Sequence, residues 1–546
     1  MRFGLPGGAA LQLPVVLGLL VAATSARAES ADERMACEAM IDTPNLTITQ
    51  ARIVAASGRT PDYCYVRGTI SPAIVFQLQL PLPGNWNGRF VNWGDGGKDG
   101  DLDYADHRVA QGYAVANSNT GHDSGAEPGA SFAYNNRQAE IDFGYRAIHL
   151  TVTAAKTAID RYYGRAPEYA YHEGCSTGGR QGLMEAQRYP ADFDGIVAGA
   201  PVNHYQENNA STVWFVQQVY ANDLAGNLAY DEDGDGIPES REKIRMLADA
   251  VLAQCDATDG IKDGLIDNPL KCDFDPHEHL NAQMCANDVN GPECFTRRQV
   301  DVIAAVYRGP TTAAGRHIYK GKARGSELVW DIYPDAANEM RPAEVSIDHI
   351  NYLFYENDPG KTTADPYDLS LMPRRGGPAP EYAWWDFDIA DLVSGKSGFM
   401  RAITDATDPD LAPFIRNHGG KLMLYHGWSD PGPSAEMTLD YYNEVVASTF
   451  GGDLDSAREH ARVFMIPGMY HCRGGPGLSD WDRLAPMVDW VERGRAPDYI
   501  VGQHRSAGVV DNERKVCAYP QETVYTGPAG GRNDPANWTE GNFSCR

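Results

Sequence analysis

The chain has 546 residues, of which 42% are hydrophobic and 22% charged. That is too long for one ordinary core and long enough for two domains, or for one core with a large insertion. A formal net charge of −27 repels phosphate backbones, which argues against a nucleic-acid partner, and it suits divalent cations.

The first predicted element is a targeting segment. Arg2 supplies a weak positive region, a short apolar run follows from Leu11 and is broken by Pro14, and Ala26-Arg27-Ala28 gives a small-x-small cleavage pattern. Residues 1–28 therefore read as a secretory signal; the apolar run is too short to span a bilayer. No later stretch is long enough either, so the mature chain is expected to be secreted and soluble, with no membrane partner. Its ten cysteines agree: Cys37, Cys64, Cys175, Cys255, Cys272, Cys285, Cys294, Cys472, Cys517 and Cys545. An even number in an exported chain points to five disulfides. Zinc ligation is the alternative, but there is no Cys-x-x-Cys pair.

Residues 64–202 alternate strand and helix patterns. Phe76-Gln77-Leu78-Gln79-Leu80 alternates strictly, and residues 112–117 form a second short run. Residues 141–163 place Phe143, Ile148, Val152, Ala155 and Ile159 at helical spacing and stop before Gly164 and Pro167. Residues 168–172 read as a strand and 181–188 as a helix. This order predicts a parallel sheet covered by helices. From residue 203 to 403 acidic loops, four cysteines and many Tyr and Trp residues replace the strand pattern, so this stretch reads as an inserted lid domain. Strand patterns resume at 421–425 and 463–466, with helices expected at 440–448 and 485–492. The tail beyond Gly508 is expected to be irregular, pinned by Cys517 and Cys545.

Gly174-Cys175-Ser176-Thr177-Gly178 is a G-x-S-x-G motif between a predicted strand and a predicted helix. Its glycines permit a sharp turn that lifts the Ser176 hydroxyl above the sheet and sets a helix N-terminus beneath it. The Thr177 amide can then donate to an oxyanion. A serine hydroxyl needs a base, and in the α/β-hydrolase fold the acid and base follow in the order Ser, Asp, His. Asp430, in His426-Gly427-Trp428-Ser429-Asp430-Pro431, and His471, in Gly468-Met469-Tyr470-His471-Cys472, each follow a predicted strand. They therefore sit where a parallel sheet presents its chemistry. His426 shares that placement. It is the alternative base and is read in preference as a residue that contacts substrate directly or through a neighbouring side chain. Cys175 precedes the proposed nucleophile and Cys472 follows the proposed base, so a bond between them would bring Ser176 and His471 together.

This Cys-Ser, Asp, His-Cys arrangement resembles the tannase and feruloyl esterase family, which includes the mono(2-hydroxyethyl) terephthalate hydrolases. The likeness extends to Trp86-Asn87-Gly88-Arg89-Phe90, the loop over residues 94–100, and Gly121-His122. It implies an α/β-hydrolase fold over residues 29–202 and 404–546, a lid over 203–403, a Ser176, Asp430 and His471 triad, and a Cys175–Cys472 bridge. It also implies a second oxyanion donor in Gly94-Asp95-Gly96-Gly97, either Gly96 or Gly97. The family carries a structural calcium in its lid. The matching residues are the carboxylates of Asp256, Asp259 and Asp263 and the carbonyls of Ile261 and Leu265, bracketed by Cys255 and Cys272.

A second acidic loop departs from that expectation. Asp231, Asp233, Asp235, Glu239 and Glu242 fall at EF-hand positions 1, 3, 5, 9 and 12, with Gly236 at position 6. A second calcium site at Asp231, Asp233, Asp235 and Glu242 competes with a solvated acidic turn. The overall reading is a secreted serine esterase acting on esters of aromatic, phenolic acids. Alternatives are a terephthalate monoester hydrolase, a peptidase of the same fold, and a non-catalytic calcium-stabilised binding protein. Tyr352, Phe354, Tyr355, Trp384 and Trp385 make the lid aromatic, and the first three are the candidates for stacking on a planar acyl group.

Overall fold

The computed structural model describes residues 31–312, 314–338, 341–360 and 384–546; the signal-peptide reading lies outside them. Nine strands form one sheet: β1 Thr47–Val54, β2 Tyr63–Ile70, β3 Ile74–Pro81, β4 Arg89–Trp93, β5 Ala114–Ser118, β6 Tyr169–Cys175, β7 Gly195–Gly199, β8 Lys421–Gly427 and β9 Ala461–Ile466. Their order is β1-β2-β3-β5-β4-β6-β7-β8-β9. The β1–β2, β2–β3 and β3–β5 pairs are antiparallel, and from β5 through β4 to β9 every pair is parallel. β7 is buried along its whole length, so it carries small and apolar residues without alternation, as central parallel strands do.

Helices cover both faces. On one face, α1 (Ala147–Tyr163) and α2 (Thr177–Arg188) pack Val152, Ile159 and Leu183 on Phe76, Leu78 and Leu422. On the other, Val91, Tyr171, Met423 and Phe464 meet Met487 and Trp490. The predicted helix over 141–163 opens irregularly, with a wide turn over Asp142–Arg146. The carbonyls of Phe143 and Gly144 in that turn accept from the buried Arg180 guanidinium at 3.1 and 2.8 Å. This leaves the carbonyls satisfied outside the regular ladder.

Between β7 and β8 the chain leaves the sheet and builds a helical body with its own core. Its helices include α3 (Tyr205–Leu224), α4 (Glu242–Cys255), α5 (Arg297–Arg308) and α6 (Glu344–Tyr352). Val216, Leu247, Ile303, Trp330, Phe354 and Trp384 are among the side chains that fill it. A smaller cluster of Phe132, Phe143, Tyr205, Tyr352 and Met400 joins this body to the sheet layer.

The tail corrects the sequence reading. It is an ordered hairpin of β10 (Tyr499–Ser506) and β11 (Val509–Cys517), followed by the paired β12 (Thr523–Tyr525) and β13 (Phe543–Cys545). The strand pattern of β11 was hidden because its inward face holds Asn512 and Arg514 while Val509 and Val510 are exposed. The ten cysteines form five disulfides: Cys37–Cys64, Cys175–Cys472, Cys255–Cys272, Cys285–Cys294 and Cys517–Cys545. Among the described residues no helix is long and apolar enough to cross a membrane.

Candidate active site

Ser176 sits between β6 and α2 with φ 63° and ψ −123°, a conformation a non-glycine residue adopts only under constraint. Several contacts hold it there. Its amide donates to Gly199 O at 2.9 Å, and its carbonyl accepts from the amides of Arg180 at 3.0 Å and Val202 at 3.3 Å. Two glycines make room: a Cβ on Gly174 would lie 2.6 Å from the Gly178 carbonyl, and one on Gly178 would lie 2.8 Å from the Asp95 carbonyl.

His471 Nε2 lies 2.8 Å from Ser176 Oγ, and its Nδ1 lies 2.7 Å from Asp430 Oδ2. The two loops that supply His471 and Asp430 are laced together: Trp428 N donates to Ile466 O at 2.9 Å and Ser429 N to Met469 O at 3.1 Å. Asp430 is fully buried, whereas the His471 side chain is about one-third exposed. The Gly432 amide donates to Asp430 Oδ1 at 2.8 Å. Burial opposes ionisation of Asp430, but the His471 charge and hydrogen bonds from His426 and His471 outweigh it and hold the carboxyl well below the usual range. For His471, burial favours the neutral ring, yet the charge and hydrogen bond of Asp430 prevail and raise its proton affinity.

His426 is not placed as a substrate contact. Its side chain is wholly buried, with Nε2 3.1 Å from Asp430 Oδ2 and Nδ1 2.8 Å from Thr438 Oγ1. It braces the acid from behind. Sequence spacing placed it at the same strand end as Asp430 but could not tell which way the ring turns.

The glycine loop lies against the elbow, where Thr177 Oγ1 donates to Gly97 O at 2.7 Å. Thr177 is the first residue of α2, and the Gly96 amide donates to Asp95 Oδ1 at 2.7 Å.

The three aromatic candidates for acyl stacking are also corrected. Phe354 is fully buried in the core of the insertion. Tyr352 is buried in the cluster with Phe132, and its ring meets Tyr134 edge-on at 5.9 Å. Tyr355 packs edge-on against Phe354 at 4.8 Å, and its hydroxyl donates to Asp391 at 2.8 Å. Phe354 and Tyr355 thus pack on the insertion's own core and Tyr352 on the cluster that joins it to the sheet layer, a demand that outweighs stacking for side chains of this size.

In the loop after α4, Asp256 Oδ1 accepts from the amides of Asp263 and Gly264, both at 3.1 Å, and Asp259 Oδ1 accepts from Ile261 N at 2.9 Å. Asp267, which the sequence reading missed, joins them. Burial pushes the Asp259 and Asp267 carboxyls up, helped at Asp267 by the charge of Asp259 and at Asp259 by that of Asp256. Asp256, Asp259, Asp263 and Asp267 are half-buried and bring hard carboxylate oxygens to one loop. Arg514 of β11 supplies part of that charge, bonding Asp263 and, at 3.3 Å, Asp267.

At the second acidic loop, ligand oxygens of Asp231, Asp233, Asp235 and Glu239 all lie within 4.8 Å of one another, a cluster able to hold a metal ion. Glu242 is not among them. The loop closes early through a bridge between Tyr230 and Ser240, so Glu242 already begins α4 and pairs with Arg245 at 3.2 Å.

Comparison with known proteins decides the family. The family model described as tannase and feruloyl esterase matches residues 56–349 and 387–537. The chain belongs to the tannase and feruloyl esterase family. It is a carboxylic ester hydrolase with the α/β-hydrolase fold. It is 33% identical to a mono(2-hydroxyethyl) terephthalate hydrolase of Piscinibacter sakaiensis, over 94% of this chain and 92% of that protein. It is 30% identical to feruloyl esterase B of Aspergillus niger, over 91% and 94%. An Aspergillus oryzae esterase crystal structure superposes with a TM-score of 0.77 at 26% identity, covering 94% of this chain and all of that one.

Proposed function

We propose that the enzyme hydrolyses esters of phenolic aromatic acids through an acyl intermediate on Ser176. The observation that carries this reading is the unbroken chain from Ser176 Oγ through His471 to Asp430. His471 takes the Ser176 proton as Oγ attacks the ester carbonyl, and the alcohol leaves with that proton. Water then attacks the acyl-serine by the reverse proton path. Asp430, held ionised, orients His471 and stabilises its charged form. The Thr177 amide is one donor to the oxyanion, and Gly97 is preferred to Gly96 as the second because the Gly96 amide is already taken by Asp95.

The base works only when neutral, so activity must rise with pH as His471 loses its proton. Asp430 raises the proton affinity of His471, so the acidic limb of kcat/KM is expected above the ~6.5 of a free imidazole. A pH–rate profile with its midpoint well below 6 would contradict this assignment.

Phenolic esters are preferred because residues 342–360 hold no Arg or Lys, whereas the free carboxylate of a terephthalate monoester calls for a cationic fork. Of the two cations at its edges, Arg341 pairs with Glu344 at 3.8 Å and Lys361 lies outside the described residues. The second reading, a terephthalate monoester hydrolase, is favoured by the 33% identical relative. A hydrolysis panel of methyl gallate, methyl ferulate, chlorogenate and mono(2-hydroxyethyl) terephthalate separates them. A higher kcat/KM on the terephthalate ester than on the methyl esters would favour the second.

The same proposal includes export, since five disulfides suit an oxidising compartment, and structural calcium. Asp256, Asp259 and Asp263, with the carbonyls of Ile261 and Leu265, would hold one ion; Asp231, Asp233, Asp235 and Glu239 would hold a second. Bound calcium would neutralise carboxylates that otherwise repel. A ligand saturating at about 100 times its Kd adds roughly 2.7 kcal/mol to native stability. Thorough chelation is therefore expected to lower the melting temperature by a few degrees, and Asp259→Ala to remove much of that sensitivity. An unchanged melting curve, with no metal by elemental analysis, would refute it.

A further inference from the structure

Lys322 belongs to the helical insertion, yet its ammonium reaches the loop that carries Asp430. The residue is 6% exposed. Its Nζ donates to the carbonyl of Pro431, the residue after Asp430. Its own amide bonds Val306 O in α5 at 3.0 Å, and the Phe215 ring of α3 lies 5.3 Å from the ammonium. The charged groups that face it are Asp430 and, within the insertion, Asp331; behind Asp430 stand His426 and His471.

Lys322 is one of three adjoining ties. Ser434 N donates to Tyr319 Oη at 3.0 Å, and Ser434 Oγ donates to Gly321 O at 3.3 Å. Residues 319–322 of the insertion thus grip residues 431–434 directly after the acid. The two hydroxyl-mediated ties are neutral. Lys320 adds ion pairs to Glu436 at 3.4 Å and Asp440 at 3.6 Å farther along, but of the three ties to residues 431–434 that of Lys322 alone is charged, and burial pulls its proton affinity down to about 8.

We propose that Lys322 is a positioning residue for ester hydrolysis, holding the Asp430 loop through Pro431 and setting the charge balance of the Asp430–His471 pair from the insertion side. The inference rests on Ser176, His471 and Asp430 acting as proposed above. An ammonium near the pair disfavours a second positive charge on the imidazole. It therefore keeps His471 neutral to lower pH and partly offsets the opposing effect of Asp430. Through this residue the insertion acts on the chemistry and not on substrate binding alone.

The test is Lys322→Met, near-isosteric and neutral, assayed on methyl ferulate with Ser176→Ala alongside. Near-UV circular dichroism should show the native fold. Its kcat should fall about tenfold with KM within about twofold, the pattern of a residue that does not contact substrate. With the cation gone His471 holds its proton more tightly, so the acidic limb should move to higher pH. A kcat within about twofold of wild type, or an unmoved limb, would overturn the proposal. If Lys322→Met does not fold, Lys322→Gln keeps a donor for Pro431 and drops the charge, and the position of its acidic limb decides in the same way. Turnover by Ser176→Ala would instead overturn the catalytic reading on which the inference rests.

Discussion

Ser176→Ala is expected to lower kcat by about 10⁴-fold or more while leaving the fold intact, and His471→Ala by a similar factor. Removing Oγ deletes the bond-forming atom, and removing the imidazole leaves a hydroxyl that nothing deprotonates. The residual rate is set by binding and by the oxyanion amides, which neither change touches. The double variant should therefore be scarcely slower than either single one. Asp430→Ala should cost less, on the order of 10²–10⁴, because the aspartate only orients and stabilises the imidazolium. That loss has a structural component too, since His426 Nε2 would lose its buried partner at 3.1 Å. His426→Ala should cost less again, because it acts only through Asp430. Steady-state kinetics on methyl ferulate, with near-UV circular dichroism as the folding check, measure all of these. A serine-directed phosphonate should label wild type at Ser176 and leave Ser176→Ala unmodified. Near-normal turnover by Ser176→Ala would end the proposed mechanism.

The parts legible in the sequence are those whose physics is local. A strict alternation over residues 76–80 marks β3 because one strand imposes a period of two on its own side chains. The elbow was readable because Gly174 and Gly178 meet space limits set within a few residues of Ser176 and by the adjoining loop. Asp430 and His471 followed from strand ends, which chain order supplies. What was hidden depends on partners distant in sequence. β11 reads as irregular because its buried Arg514 answers aspartates about 250 residues earlier. Phe354 and Tyr352 looked like a stacking surface because composition does not say which way side chains at the end of α6 face. Glu242 fitted an EF-hand count, but a count cannot see that the Tyr230–Ser240 bridge closes the loop first. Lys322 carried no motif at all, and only its burial against Pro431 gives it meaning.

Replacing both Cys175 and Cys472 by Ala is expected to lower kcat by about 10–100-fold, a 1 Å-scale loosening of a catalytic pair being enough for that, and to lower the melting temperature by several degrees. The bridge joins residues 297 apart in sequence, with Cα atoms 5.9 Å apart. On the chain-entropy account, closing so long a loop stabilises the fold by about 5 kcal/mol, although measured values commonly fall lower. The larger consequence is geometric. Ser176, next to Cys175, has φ 63°, and Cys472, next to His471, has φ 64°. Both are non-glycine residues in a left-handed region that costs roughly 1–3 kcal/mol each unless the surroundings hold it. The disulfide ties these two constrained turns to each other, and the 2.8 Å contact between Ser176 Oγ and His471 Nε2 lies beside it. The Cys472 carbonyl is also fixed by Arg483 at 2.8 Å, so the His471 loop should survive the loss of the bridge in place but less tightly aimed. The damage is therefore expected mainly in kcat, with KM little changed, since the oxyanion loop and the insertion keep their own supports. Non-reducing peptide mapping should first recover the two cysteines in one linked pair. A double variant with wild-type kcat would show that the elbow and the base loop are held by their hydrogen bonds alone and that the crosslink serves only stability.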